Sequence, residues 1–341
     1  MRDKVSHYHA DIAMVLEQQS YDGALGAMCF SADRHDSLAL DALEMPCMRV
    51  PMRRLDLATS ICELWQGNGH VTQGRYGDVH YRHDEGVLYG VITLPETEAT
   101  DGRTPLQQVT ESAYHQLFSL LDSLRFPYLF RVWNYMADIN IHSFGQERYQ
   151  QFNQGRQDAF LAHGRDVVGN VPAACALGFL EGPLTIAFLA GREAPLCLEN
   201  PRQISACLYP PQYGPRSPTF SRASLVRMGQ EQVLFVSGTA SIVGHATLHA
   251  DDVVAQTRET MANIEAVLAE VNRQASHRYE LANLTYKVYV RSPANLGLIR
   301  AELTRCVGDS LRAVYFQADV CRQDLLLEIE ATCLFKSGQA G

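Results

Sequence analysis

Hydrophobic and polar positions along this chain follow two periods, and the places where one gives way to the other divide it. Residues 79–82 and 87–94 are rich in Val, Leu and Tyr. They are bounded by Gly77 and by Asp84-Glu85-Gly86, so they read as two strands joined by a turn. Residues 104–124 then place Val109, Ala113, Leu117 and Leu121 four apart, with Thr104 ready to cap and Pro105 suited to the first turn, which predicts a helix. Phe126-Pro127 ends it, residues 128–135 read as a buried strand, and residues 146–163 return to a helix. The same order recurs in the C-terminal third. Strands are expected at 224–226 and 233–237, a helix at 255–271 with Thr257, Met261, Ile264 and Leu268 on one face, and a strand at 284–290. A helix at 293–304 and closing strands at 313–317 and 325–330 complete it. Two βαβ-type halves of like order imply an internal duplication.

The expected division is an N-terminal extension (1–70), an N-terminal domain (71–165), a bridging segment (166–220) and a C-terminal domain (221–337). Residues 1–60 keep no sustained period and read as irregular. The bridge is proline-rich, but apolar residues run through it and 184–189 is a strand candidate, so it reads as ordered turns. The fold class is α/β (α+β), with mixed sheets packed on helices and a cleft between two fused units.

Composition narrows the function. With 341 residues, 46% of them hydrophobic, the chain can bury a large core unaided by metal or disulfide. A net charge of −9 with no basic run argues against nucleic acid. No run of about 18 apolar residues exists to span a membrane. The first nineteen residues carry His7, His9, Asp11 and Glu17 rather than a basic start and an apolar stretch, which is unlike a secretory leader. The nine cysteines are scattered without a Cys-x-x-Cys pair, so they read as buried thiols of a reduced, cytoplasmic protein without a metal site.

Several blocks carry a family resemblance. Ser237-Gly238-Thr239-Ala240, Gln256-Thr257-Arg258, Val288-Tyr289-Val290 and Leu327-Glu328-Ile329-Glu330-Ala331 resemble the Rid/YjgF family over roughly 221–335. That family folds as a sheet on two helices and assembles as trimers with clefts between subunits. Arg131-Val132-Trp133-Asn134-Tyr135, Asp138-Ile139-Asn140 and Glu147-Arg148-Tyr149-Gln150-Gln151-Phe152 resemble the chorismatase family. So do Tyr213-Gly214-Pro215, Arg222-Ala223 and Val320-Cys321-Arg322, and the blocks follow in order across about 120–335. The resemblance implies two fused Rid/YjgF-like units. It also implies cleavage of chorismate, a small molecule with two carboxylates and an enolpyruvyl ether, with release of pyruvate and no cofactor. One branch of the family gives 3-hydroxybenzoate, or 3- and 4-hydroxybenzoate together; another hydrolyses chorismate to a dihydroxycyclohexadiene carboxylate. Cys321, seven positions before Glu328, matches the hydroxybenzoate branch, whereas Ala240 does not align cleanly with it. A Rid-like enamine/imine deaminase and a non-catalytic binding protein are the competing readings. The expected assembly is a monomer, with a trimer as the alternative.

An enol ether breaks when its methylene carbon is protonated, which calls for a carboxylic acid still protonated near neutrality. Glu328, between Leu327 and Ile329, is either such a buried acid or a solvent-facing strand residue. Glu330 shares its face and is either exposed or paired with an arginine. For the substrate carboxylates, Arg148 and Arg156 fall with Phe152 and Gly155 on one helix face, where two guanidiniums can bracket a flat dianion or pair with acids such as Glu147. Arg131 opens a strand and reads as structural. Tyr135, Tyr209 and Tyr213 can hydrogen-bond the carboxylates or stack on the ring, Tyr213 foremost because Gly214-Pro215 holds its turn. Gly238 and Ala240 lie in a run that offers backbone N–H groups, and Cys321 reads as a pocket-shaping residue.

Overall fold

The computed structural model describes residues 6–335 apart from 18–20, 34–35, 37–39 and 41–42. Residues 336–337, the expected end of the last unit, lie outside the described residues. The described chain builds three sheets in succession, where the sequence pattern predicts two.

The first sheet contains β1 (Ser6–Asp11), β2 (Ala24–Phe30), β3 (Cys47–Val50) and β4 (Ile61–Gln66), in the order β1-β4-β2-β3, with α1 (Ile12–Glu17) after β1. The second contains β5 (Thr72–Tyr76), β6 (Val79–His83), β7 (Val87–Leu94), β8 (Tyr128–Ala137), β11 (Ala173–Phe179) and β12 (Leu184–Gly191). Helices α2 (Pro105–Leu124) and α3 (Arg148–Ala162) cover it, and a small hairpin of β9 (His142–Ser143) and β10 (Gln146–Glu147) leads into α3. The third contains β13 (Leu196–Leu198), β14 (Ala223–Met228), β15 (Glu231–Thr239), β18 (Thr285–Val290), β19 (Arg312–Gln317) and β20 (Leu327–Phe335). Helices α4 (Val253–Gln274) and α5 (Leu296–Val307) cover this sheet, and a hairpin of β16 (Ile242–Val243) and β17 (Ala246–Thr247) follows β15.

The second sheet runs β5-β6-β7-β12-β8-β11 and the third β13-β14-β15-β20-β18-β19, so the two share one topology strand for strand. The first sheet reproduces its last four positions: β2 pairs parallel with β3 and antiparallel with β4, as β18 does with β19 and β20. The irregular N-terminal segment is therefore a shortened third copy. Its strands escape the period-two signal because every residue of β2 is buried, which leaves no polar face to alternate with. The bridging segment is also divided: β11 and β12 belong to the second sheet, and the third begins at β13.

Helices lie against one face of the second and third sheets, and the other faces meet in a common core. Phe30 opposes Val50, Tyr135 opposes Leu177 and Tyr289 opposes Phe316 at matching registers, and all six are buried in that core. A buried ionic hub crosses it. Lys287 Nζ lies 2.5 Å from Glu63 Oε2 and 2.5 Å from Glu330 Oε1, and Arg131 pairs with Glu330. Of the two alternatives for Glu330 the structure shows the pairing with an arginine, and Arg131 is structural, as its place at the start of a strand suggests. His7, His9 and Glu63 bring three ligand-type atoms within 4.8 Å of one another, but Lys287 already supplies the cation on Glu63.

Cys29 and Cys62, directly opposed on β2 and β4, form a disulfide, which departs from the expectation of thiols throughout. Their separation of 33 residues hides the pairing from sequence. Among the described residues, no helix is long and apolar enough to cross a membrane.

Candidate active site

The repeat places one equivalent position on β4, β12 and β20, opposite Phe30, Tyr135 and Tyr289 in turn. It holds Ile61, Thr185 and Glu328. Only the copy on β20 carries an acid, so the repeat yields a single acidic site.

Glu328 is 4% exposed and lines a cavity at the seam between the second and third sheets. Burial pushes its carboxyl up to about 8, helped by the negative Glu330 and opposed by Arg131. Gly238 lets it lie flat against β15, since a Cβ there would fall 1.9 Å from Glu328 Oε1. The neighbouring hydroxyls are committed to the fold. Ser237 Oγ accepts from the Ala174 N–H at 2.9 Å, which clips β11 to β15, and Thr239 Oγ1 donates to the Ser237 carbonyl at 2.8 Å. Gly238 and Ala240 are left to form the cavity wall beside Cys321, whose buried thiol is pushed up to about 12 by desolvation.

Of the expected residues, Glu328, Tyr209, Tyr213, Gly238, Ala240 and Cys321 line one cavity. Tyr213 is held by donating to the His245 carbonyl at 2.7 Å, and Tyr209 by accepting from Arg222 Nη2 at 3.0 Å. Three expected residues do not reach it. Tyr135 is buried in the common core, its hydroxyl 2.8 Å from that of Tyr289. Arg148 turns away to Glu96 and to the Ala137 carbonyl, 3.0 Å from its Nε. Arg156 is buried with its guanidinium 5.4 Å from the Tyr114 ring centre and 5.7 Å from that of Phe160. The shared face of α3 is a packing face: a Cβ at Gly155 would lie 2.2 Å from the Gln107 carbonyl of α2. Arg156 Nε and Nη2 nonetheless have no hydrogen-bond partner among the described residues.

The cavity's own cations are Arg222 and Arg322, which sequence reading quoted in motifs but did not assign. Arg322 stacks 4.1 Å from the Tyr213 ring centre, and its Nη1 donates to the His245 carbonyl at 2.9 Å. Its Nη2 is buried without a hydrogen-bond partner, and so is Arg222 Nε, whose nearest acid, Glu199, stands 4.0 Å away. Buried guanidinium N–H groups left open in this way suit an incoming carboxylate. Glu147, Tyr149, Gln150 and Gln203 complete the polar lining. The signal that was available for Arg322 was its place directly after Cys321.

A buried acid beside arginines with open N–H groups, in a seam between two helix-covered sheets of one topology, suits an enzyme cleft for a small anionic molecule. Comparisons with known proteins agree. Residues 63–190 match the family described as chorismatase FkbO/Hyg5-like, N-terminal. A 3-hydroxybenzoate synthase of Streptomyces hygroscopicus is 35% identical over 81% of this chain and 82% of its own. A chorismatase of Streptomyces rapamycinicus is 36% identical over 80% and 81%. A crystal structure of a chorismatase superposes with a TM-score of 0.85 at 27% identity, over 98% of this chain and 99% of that one. The chain belongs to the chorismatase family.

Proposed function

We propose that this protein cleaves chorismate to pyruvate and a hydroxybenzoate, 3-hydroxybenzoate foremost, and that Glu328 is the general acid. The observation that carries this reading is the Glu328 carboxyl, buried in the cavity wall and protonated up to about pH 8. The acid gives its proton to the methylene carbon, an oxocarbenium ion forms, and the ether breaks with pyruvate as the leaving fragment. Arg322 and Arg222 hold the two carboxylates. Tyr209 and Tyr213 flank the ring.

Cys321 in the wall beside Glu328, together with the likeness to a 3-hydroxybenzoate synthase, favours the aromatic product over the hydrolytic one. The fused sheets and their shared core favour a monomer, because faces that separate subunits would present to each other are already joined within one chain. The test is pyruvate release from chorismate, with chromatography of the ring product. Release by the wild type that collapses in Glu328→Gln is expected; equal release by both proteins would sink the assignment of the acid.

A further inference from the structure

The proposed cleavage takes up one proton and gives back another, either to Glu328 once it is ionised or to a second base. Chorismate and the pair hydroxybenzoate plus pyruvate contain the same atoms. One proton enters at the methylene carbon, so one must leave the ring. When the ether C–O bond breaks, its electron pair goes to the oxygen that becomes the pyruvate carbonyl. Direct loss of the C–H beside the ring hydroxyl gives 4-hydroxybenzoate. For 3-hydroxybenzoate the hydroxyl oxygen bonds to the neighbouring carbon as the ether leaves it and a base takes the hydroxyl proton; the oxygen's original C–O bond then opens with return of a proton to oxygen, and loss of the C–H there completes the aromatic sextet. In the hydrolytic outcome the same base takes the proton of the attacking water. Either course needs an ionised group in the cavity that holds the acid.

The cavity contains one other carboxyl group, that of Glu147. We propose that Glu147 is the catalytic base that complements Glu328, a role that rests on the reading of Glu328 as the acid. The local backbone supports this. Glu147 ends β10 and stands at the N-cap position of α3 with extended φ and ψ of −65° and 140°, yet its side chain makes no capping hydrogen bond. A carboxylate in that place ordinarily turns back onto its own helix. Here it is held elsewhere: Asn140 Nδ2 donates to Glu147 Oε1 at 3.2 Å, and Arg291 Nη1 donates to Asn140 Oδ1 at 3.1 Å.

Arg291 is itself fixed on the far side of the seam. It donates to the carbonyls of Val320, Arg322 and Leu325 at 3.1, 2.8 and 2.8 Å, and to Asp319 Oδ1 at 2.7 Å. Those residues form the loop that carries Cys321 and Arg322 into the cavity. One hydrogen-bond chain therefore ties the carboxylate of the second unit to the loop of the third, the arrangement of a base oriented by a third group. The environment also separates the two acids. Glu328 is 4% exposed and faces the negative Glu330, whereas Glu147 is only half-buried. Burial pushes the Glu147 carboxyl up as well, opposed by the Asn140 hydrogen bond and by His142 on β9 and Arg322 on the loop, where Cys321 also stands near it. Both carboxyls are pushed up, but the fully buried Glu328 far more, which leaves Glu147 the more readily ionised of the two and the one suited to base duty.

The test is turnover of chorismate in D2O by Glu147→Gln and Glu328→Gln, with pyruvate assayed and unreacted chorismate recovered for NMR. Removing a positioned base is expected to lower pyruvate release ~100-fold or more. In Glu147→Gln, Glu328 still protonates the methylene. With the forward step blocked the ion reverts, and deuterium appears in the methylene of recovered chorismate. Glu328→Gln shows neither release nor exchange. Near-wild-type release by Glu147→Gln overturns the role of Glu147 and leaves Glu328 standing. Lost release without exchange also overturns it, because Glu147 then acts before protonation. Release retained by Glu328→Gln instead removes the underlying reading. If Glu147→Gln lacks a cooperative thermal transition, the test passes to Glu147→Ala with added formate: restored release is expected, and its absence counts against the base.

Discussion

Gly238 and Glu328 sit so close across β15 and β20 that a single methyl group on the glycine would overlap the carboxyl: the added Cβ lies 1.9 Å from Oε1. Backbone freedom is not what the glycine supplies here. It supplies the absence of a side chain, which lets a carboxyl lie against a strand in a sealed wall. Gly238→Ala is expected to displace the acid and lower pyruvate release on the order of 100-fold, as misplacement by about an ångström does. A thermal melt within a few degrees of wild type would accompany it. Wild-type turnover by Gly238→Ala would show that the acid works from another position.

The pH dependence of turnover follows from the direction of the Glu328 shift. The acid must be protonated, and burial holds it so up to about pH 8. Plots of kcat/KM for pyruvate release are expected to be level or rising toward pH 7 and to fall tenfold per pH unit above about 8.

The same shift has a consequence for stability. Between the unfolded value of 4.5 and the folded value of about 8, the native protein holds a proton that the unfolded chain has released. Stability from this group is therefore full below pH 4.5 and is lost as pH rises to about 8. Glu328→Gln, which cannot ionise, is expected to be more stable than wild type by about 4 kcal/mol near pH 8, with the gap closing toward pH 5. Urea unfolding at several pH values measures it.

Arginine variants test where the carboxylates bind. Arg322→Ala is expected to raise KM for chorismate ~30-fold, consistent with loss of a charge-assisted hydrogen bond of about 2 kcal/mol. Arg148→Ala removes only the contacts to Glu96 and the Ala137 carbonyl, so KM should hold while stability drops by about 1 kcal/mol. The opposite pattern would return Arg148 to the site.

The ionic hub gives a further prediction. Arg131→Met leaves Glu330 buried with Lys287 and the Tyr289 hydroxyl as its remaining partners, and Lys287 is shared with Glu63. The expected loss is about 3 kcal/mol in urea unfolding, the usual result of breaking one arm of a buried ion network.

Local signals were legible where an element has two unlike faces. Helix α2 could be read from its apolar spacing and its cap, and Thr104 Oγ1 does accept from the Gln107 N–H at 3.2 Å. The alternation along β20 puts Glu328 and Glu330 on one face, as the pairing with β18 shows. The first sheet was not legible, because a strand buried on both sides has no polar face to mark its period.

Periodicity states which residues share a face but not what that face meets. Arg148 and Arg156 were grouped correctly on α3, yet the group packs on α2 rather than on a ligand. The cations that line the cavity, Arg222 and Arg322, stand a hundred positions apart, one just before β14 and one on the loop before β20. They share a cavity only because two sheets close a seam between them. The chain alone reveals the order of the main elements in the two helix-covered units, their duplication and an acid on β20. Tertiary structure alone decided which arginines face that acid, that Glu147 stands in the same cavity, and that the N-terminal segment is a third sheet. Charge placement in a site depends on contacts between residues far apart in the chain, and only the packed core establishes those distances.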